Sequence, residues 1–242
     1  MFATMAKFEL KNLIREKMTM VMFIYPLLLG GIVKYLIETN VVEGQMKAII
    51  AIMLSLMAGF AYGAMAGFSL LDDRDDQVLV SIQISPIPLA LYVWFKVLFI
   101  TGLAVLAGFF LIWYIGVVIM TTGEILLVSI LSALQVPTVT FLINAFAKNK
   151  VEGFVTMKAV GFLLLFPVGS FFFLDAKEWL FAIGPGHWAA KAVQYSMYRP
   201  MIEAGLVKMN LNFYQYLGIG ALYNILVVIA AYRFFARKNN LL

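Results

Sequence analysis

The chain has 242 residues, of which 63% are hydrophobic and only 13% are charged, and its mean hydropathy is +0.94. A soluble domain of this length needs more polar surface, so the composition predicts one domain embedded in lipid. Cysteine is absent, which excludes disulfides and thiolate metal sites. The net charge of +5 is explained by Lys and Arg at the cytoplasmic flanks of membrane helices, without a nucleic-acid partner.

Residues 1–17 have the periodicity of an amphipathic helix. Lys7, Lys11 and Arg15 follow one another at intervals of four, while Leu10 and Ile14 belong to an apolar face. This pattern predicts a helix in the headgroup plane, with its cations toward anionic lipid or a partner. The alternative is a simple topology anchor. The stretch lacks the apolar core and cleavage site of a secretory signal, so we expect the mature protein to keep it.

Six segments can each cross a membrane, because a spanning helix needs about 20 mostly apolar residues. Spans 1 to 6 are predicted at Thr19–Ile37, Ala48–Leu71, Leu91–Met120, Ile125–Ala147, Val155–Leu174 and Phe213–Phe235. The runs are continuous rather than alternating, which favours helices over a barrel. Lys and Arg precede span 1, follow span 4 and follow span 6, so both termini are predicted to be cytoplasmic in a multi-pass protein of the cell membrane.

Segment 72–88, between spans 2 and 3, is predicted to form a short cytoplasmic helix that Pro86 and Pro88 terminate. Asp72 and Asp73 can cap its N-terminus, and four carboxylates in its first turn would favour the positive end of the helix dipole. A short helix between two spans offers a surface on which a soluble motor protein could dock. The residues expected to serve it are Asp72, Asp73, Arg74, Asp75, Asp76, Val78, Leu79 and Ile82.

The same acidic cluster allows a different function. Asp72, Asp73 and Asp76 match the Asp-Asp-x-x-Asp pattern with which prenyl-transferring enzymes hold magnesium and a diphosphate. Those enzymes use a second acidic cluster, whereas the remaining acids of this chain are scattered singly. An intramembrane prenyl- or phosphate-transferring enzyme is therefore one alternative, and a non-transporting membrane scaffold is another.

Span 2 carries Gly59, Gly63 and Gly67 at intervals of four, a spacing that lets helix backbones approach closely. Packing within the bundle and a subunit interface are both open interpretations.

Span 4 carries polar side chains and a proline. Pro137 predicts a kink, and Gln135, Thr138 and Asn144 are expected to face protein or a water-filled path, because polar groups facing lipid are costly.

Segment 175–212 has two short apolar pieces separated by a Gly-Pro-Gly turn at Pro185. Each piece is too short to cross, so we predict re-entrant half-helices that dip into the outer leaflet. His187 is the only histidine, and beside Trp188 a structural role is favoured over a catalytic one.

The order of these parts resembles the permease subunits of ABC-2 type exporters. The residues that carry the resemblance are Tyr25–Leu28, the span 2 glycines, Leu71–Arg74, Ser85–Ile87, Tyr92-x-x-x-Lys96 and Pro185–Trp188. Aspartates stand here where typical members have a glutamate. The likeness extends over nearly the whole chain, although each motif is short.

The resemblance implies ATP-driven export of a hydrophobic or amphiphilic substrate, such as a drug, an antimicrobial peptide or a lipid. Two permeases, copies or paralogues, would enclose the path, and separate ABC ATPase subunits would bind ATP and magnesium. This chain has no Gly-x-x-x-x-Gly-Lys-Ser/Thr motif, so it is expected to need no cofactor and to hydrolyse nothing itself. Segment 72–88 would couple to the ATPase, and an outer gate would contain Trp179, Pro185, His187 and Trp188.

Overall fold

The computed structural model describes residues 2–84 and 86–239, and these residues form helices and turns without any strand. The predicted all-α fold is therefore confirmed. The α-helices are α1 (Phe2–Arg15), α2 (Lys17–Glu38), α3 (Gln45–Asp75), α4 (Val78–Gln83), α5 (Leu89–Ile115), α6 (Thr122–Ala133), α7 (Gln135–Phe146), α8 (Lys150–Gly161), α9 (Leu165–Phe171), α10 (His187–Glu203) and α11 (Phe213–Lys238). Two 3-10 helices lie at Phe162–Leu164 and Ala176–Phe181.

The six predicted spans are confirmed as helical segments long and apolar enough to cross a membrane. In the described part of the chain they are Thr19–Glu38, Ile52–Asp75, Leu89–Ile115, Thr122–Phe146, Lys150–Phe171 and Phe213–Lys238. Span 3 ends earlier than its hydropathy indicated. Gly116 adopts φ +66°, a left-handed conformation that favours glycine, and this residue stops α5 before Met120.

Prolines explain the interruptions in spans 4 and 5. A proline lacks an N–H, and its ring crowds the carbonyl four residues earlier. Pro137 predicts a kink in span 4, and the helix is interrupted there: α6 ends at Ala133, four residues before Pro137. In span 5, Leu163 lies four residues before Pro167 and belongs to the 3-10 helix that separates α8 from α9.

Helix α3 is the centre of the bundle and packs against α2, α5 and α7. Span 2, which α3 provides, is 82% buried, whereas span 1 is only 11% buried. Span 1 therefore lies at the edge of the single chain, where lipid or another subunit can cover it. The hydroxyl of Tyr62 in α3 donates to the carbonyl of Phe23, close to the Pro26 position of α2, at 3.1 Å.

The two ends of the bundle differ in their elements. We call the end with α1, α4 and the last turn of α11 the inner end; there, Arg74 of α3 contacts Asn239, and Lys150 of α8 contacts Glu16 between α1 and α2. The outer end holds the 3-10 helix at Ala176–Phe181 and α10, which packs against α9 and α11. The depth to which this segment enters a membrane stays a prediction.

Candidate functional site

Residues 72–75 end a helix instead of starting one. Helix α3 continues to Asp75, and α4 begins at Val78 after a turn in which Gln77 has φ +58°. The prediction that Asp72 and Asp73 cap the short helix is therefore wrong. Carboxylates near a helix C-terminus meet the negative end of its dipole, so they need cations from other elements.

Asp73 meets that requirement through a buried cluster with Lys96 of α5. The Lys96 ammonium pairs with the Asp73 carboxylate and lies 3.2 Å from the Glu9 carboxylate of α1. The Tyr92 hydroxyl donates to Asp73 at 2.8 Å, and Lys96 also donates to the Ser69 carbonyl at 3.3 Å. The Lys96 side chain is fully buried, so the cation that joins α1, α3 and α5 is itself shielded from solvent.

Asp72 and Arg74 connect the same turn of α3 to other elements. Asp72 lies 2.5 Å from the Lys150 ammonium at the start of α8, and Lys150 lies 3.1 Å from Glu16 between α1 and α2. Arg74 donates to the Ala147 carbonyl at 3.1 Å and to the Asn239 side chain at 2.8 Å. Three consecutive residues thus hold the ends of spans 1, 3, 4, 5 and 6 around the end of span 2.

These contacts surround a cleft at the inner end with a volume of about 730 Å³. It is lined by Arg15, Glu16, Ser69, Asp72, Asp73, Asp75, Asp76, Val78 and Lys150. Asp75 and Asp76 are exposed, whereas Glu9 on α1 is buried. Burial raises the pKa of Glu9 above its usual range, although the charge of Lys96 opposes this effect.

Helix α4 presents a different apolar surface from the one expected. Val78, Leu79 and Ile82, expected to serve the motor, are only partly exposed. Val80 and Ile84 are 58% and 88% exposed and carry the open apolar surface of this segment. An ATPase-coupling role for the segment stays a prediction, and the structure adds these two positions to it.

Sequence inspection missed several members of the inner cluster. Tyr92 and Lys96 enter the sequence analysis only as part of a motif, and Glu9 is absent from the predicted site residues. The available signal was the buried position of Lys96 within an apolar run, since a charge there requires a partner. The contact between Lys150 and Glu16 joins residues 134 positions apart, so no local pattern in the sequence could indicate it.

The carboxylates of the Asp-Asp-x-x-Asp pattern diverge. Asp72 pairs with Lys150, Asp73 pairs with Lys96, and Asp76 is exposed. Among residues 2–84 and 86–239, no group of three or more His, Asp or Glu side chains is arranged to hold a metal ion. The pattern therefore supports ion pairing between helices better than a magnesium-diphosphate clamp.

The span 2 glycines face span 4 of the same chain. A Cβ at Gly59 would lie 2.3 Å from the Ser132 carbonyl oxygen, and one at Gly63 would lie 2.7 Å from the Val139 Cβ. At Gly67 it would lie 3.0 Å from the side chain of Ile143. Of the two interpretations, packing within the bundle is the one that these distances support.

Polar residues of span 4 use this close approach. Thr140 donates to the Gly63 carbonyl and Asn144 to the Gly67 carbonyl, each at 3.0 Å. Both side chains are buried, and the hydrogen bond of Asn144 joins span 4 to span 2. Gln135 donates to the Ser132 carbonyl, whereas the buried Thr138 hydroxyl has no hydrogen-bond partner in the described residues. Path lining by Gln135, Thr138 and Asn144 stays a prediction.

The outer end contains a second buried ion pair. Lys191 of α10 lies 2.8 Å from Glu178 of the 3-10 helix, and both side chains are completely buried. The Tyr216 hydroxyl donates to Glu178 at 2.7 Å, and Lys191 also donates to Gln194 at 2.9 Å. Burial lowers the pKa of Lys191, and the charge and hydrogen bond of Glu178 oppose that shift.

The residues predicted for an outer gate lie close to this pair. His187 and Trp188 are buried at the start of α10, and Trp179 stacks obliquely on Trp188 with ring centroids 6.2 Å apart. Asn224 of span 6 donates to the Pro185 carbonyl at 3.2 Å. Burial lowers the pKa of His187 to about 3, which leaves its ring neutral at physiological pH. A gating role stays a prediction.

The fold and its charged ends define a six-span helical membrane protein. The profile of the Rv2686c-like family, described as "Fluoroquinolones export permease protein Rv2686c-like", matches residues 9–232. The chain therefore belongs to this family of export permeases. The resemblance to exporter permeases inferred from the sequence is confirmed, and the chain is a multi-pass membrane permease of an exporter.

Two curated relatives are similar over most of the chain. They are the fluoroquinolones export permease proteins Rv2686c and MT2760 of Mycobacterium tuberculosis, from strains ATCC 25618 / H37Rv and CDC 1551 / Oshkosh. Each is 26% identical over 202 residues, which cover 81% of this chain and 74% of the relative. No solved structure matches the chain.

Proposed function

We propose that this chain is the membrane-spanning permease subunit of an ATP-driven ABC-2 type exporter. Separate ABC ATPase subunits bind ATP and magnesium and dock at the inner end, and a second permease copy or paralogue completes the path. The substrate is hydrophobic or amphiphilic. A drug is the substrate we favour within this class, because the two relatives are named as fluoroquinolones export permeases.

One observation carries this proposal: α4 directly follows the last turn of α3, and that turn contacts the ends of several spans. Asp72, Asp73 and Arg74 bind partners on or next to α5, α7, α8 and α11, and α1 joins them indirectly because Glu9 also contacts Lys96. Helix α4 follows that turn after only two residues. A displacement of α4 by a soluble motor would therefore reach several spans through the buried Lys96–Asp73 pair, the partly exposed Lys150–Asp72 pair and the Arg74 hydrogen bonds.

Docking is tested by a charge on the exposed apolar surface of α4. Ile84→Asp should abolish co-purification of the ATPase subunit, because apolar contacts dominate most interfaces and Ile84 is 88% exposed. Membrane insertion should be unchanged. Leu206→Asp is the matched control, since Leu206 is an apolar residue of the outer segment and is 78% exposed. Full ATPase binding and transport by Ile84→Asp would contradict docking at α4.

The same preparation separates the exporter from the transferase. A metal clamp predicts that Asp76→Asn abolishes activity, because a substrate diphosphate would lose one ligand to its magnesium. The exporter predicts a mild effect, because Asp76 is exposed and makes no ion pair in the described residues. Loss of all function in Asp76→Asn, with no ATPase bound to the native chain, would favour the transferase.

We also infer that both termini face the cytoplasm. The native chain has no cysteine, so single introduced cysteines report sidedness cleanly. Exposed Asn40 and Leu206 should react with an impermeant thiol reagent from outside when changed to cysteine, whereas Asp75 and Ile84 should not. Labelling of Asp75→Cys from outside would reverse the orientation and exclude cytoplasmic ATPase docking.

A further inference from the structure

An apolar crevice of about 130 Å³ separates α1 from the beginning of span 1. It is lined by Leu10 and Ile14 of α1 and by Met20, Phe23 and Ile24 of α2. Leu10 is 47% exposed and Ile14 is 62% exposed. The crevice is thus open to the surroundings of the bundle and offers no hydrogen-bonding side chain to water.

Cations border this crevice along α1. Lys7 and Lys11 precede Leu10 and Ile14 by three residues each, and positions three apart are neighbours on a helix surface. Lys7, Lys11 and Arg15 are all exposed, and no ion pair of theirs occurs among the described side chains. A strip of positive charge therefore runs beside an empty hydrocarbon-lined space at the membrane end of span 1.

The other side of α1 is held against the bundle. Glu9 is buried and lies 3.2 Å from Lys96, which also pairs with Asp73 at the end of span 2. This contact fixes the rotation of α1 about its axis, with the acid inward and the crevice and cations outward. The outward face therefore offers a partner for each part of an anionic lipid: cations for the headgroup and an apolar crevice for the hydrocarbon.

We propose that this crevice and the exposed cations of α1 form a binding site for one anionic phospholipid. A segment of its acyl chain occupies the space between Ile14 and Phe23, and its phosphate lies toward Lys7 and Lys11. The crevice alone would accept any acyl chain, and the cations select an anionic headgroup. Because Glu9 links α1 to the Lys96–Asp73 cluster, the bound lipid also stabilises the C-terminal turn of α3, which leads into α4.

The site can be probed in the full-length chain in vesicles without transport or an ATPase. Met20 lines the crevice, so Met20→Cys carrying a bimane label reports lipid contact there. Brominated phosphatidylglycerol should quench this label at a lower mole fraction than brominated phosphatidylcholine. Leu28→Cys is the matched control, because Leu28 is 61% exposed on the same helix but lies outside the crevice. Its label should be quenched equally by both lipids.

Two variants separate a site from general surface attraction. Lys7→Gln with Lys11→Gln should reduce the preference for phosphatidylglycerol by about fivefold for each cation removed. Leu10→Phe with Ile14→Phe keeps every charge but narrows the crevice, and it should also reduce the preference at the Met20 label. Equal quenching by the two lipids in the native background, or an unchanged preference in the Leu10→Phe, Ile14→Phe variant, would overturn the proposal. Neither result bears on whether the chain exports a substrate.

Discussion

Lys96 at the inner end and Lys191 at the outer end are both completely buried lysines paired with carboxylates. Lys191 sits within a compact set, since its partner Glu178 also accepts from Tyr216 and the lysine donates to Gln194 and to the Phe173 carbonyl. Lys96 instead joins Glu9 and Asp73 from two other helices, and Asp73 lines the open inner cleft.

The difference teaches that similar ion pairs can serve opposite mechanical purposes. The outer pair is completely buried, so breaking it would leave a charge without water, and this cost should keep the outer end closed. The inner cluster borders a cleft of about 730 Å³, so water can replace lost partners while helices shift. Under the proposed function, a sealed outer pair and an inner cluster that water can reach would suit a permease driven by an ATPase at the inner end.

The largest expected effect is at the outer pair. Lys191→Met should lower the free energy of unfolding by about 3–5 kcal/mol, because Glu178 would remain buried and unpaired. Thermal unfolding of the detergent-solubilised chain measures this loss. The control is Lys177→Met, whose pair with Asp175 is exposed and should contribute only about 0–1 kcal/mol.

A double variant sharpens the same test. Adding Glu178→Gln to Lys191→Met removes the uncompensated charge and should recover part of the lost stability. If Lys191→Met were as stable as Lys177→Met, the outer pair would not be sealed from water, and the contrast between the two ends would fail.

At the inner end, Lys96→Met should be destabilising by about 3 kcal/mol, the low end for a buried pair, because the adjoining cleft lets water reach Asp73. Transport should fall further than stability does, since α1 and span 2 lose their common partner. Hydrolysis and transport assays at a temperature where the variant remains folded would test this. Transport at the native rate, still coupled to ATP hydrolysis, would show that the Lys96–Asp73–Glu9 cluster does not transmit movement between α4 and the spans.

A smaller effect is expected between spans 2 and 4. Gly63→Ala should cost about 1–3 kcal/mol, because its Cβ would lie 2.7 Å from Val139 and 3.1 Å from the Val136 backbone. Gly102→Ala is the control: it lies in α5 with no other atom within 4 Å of the added Cβ. Equal unfolding temperatures for the two variants would show that the helices can separate freely at Gly63.

The smallest effect, and one that depends on pH, is expected for Glu9→Gln. Because burial raises the Glu9 pKa, the native contribution of this carboxyl is greatest below its ordinary pKa and is lost as pH rises through the folded value. The unfolding temperature of Glu9→Gln relative to the native chain should therefore increase from acidic to neutral pH. A difference that stays constant with pH would mean that Glu9 is hydrated.

Much of the fold could be predicted because its signals are local. The six apolar runs were located from length and hydropathy, and Pro137 marked the break that α6 and α7 share. The acidic segment was located but misassigned. Four aspartates suit a helix N-terminus on their own, yet α3 continues through them because Lys96 and Lys150 supply the compensating charge.

The sequence by itself determined that this chain spans a membrane, how many times, and that its charge lies at the helix ends, because each property depends on residues adjacent along the chain. Only the tertiary structure decided which charges meet. Asp73 and Lys96 are 23 positions apart, and Lys150 and Glu16 are 134 apart. Burial penalises an unpaired charge wherever it stands, but which cation compensates it depends on how α3 packs against its neighbours.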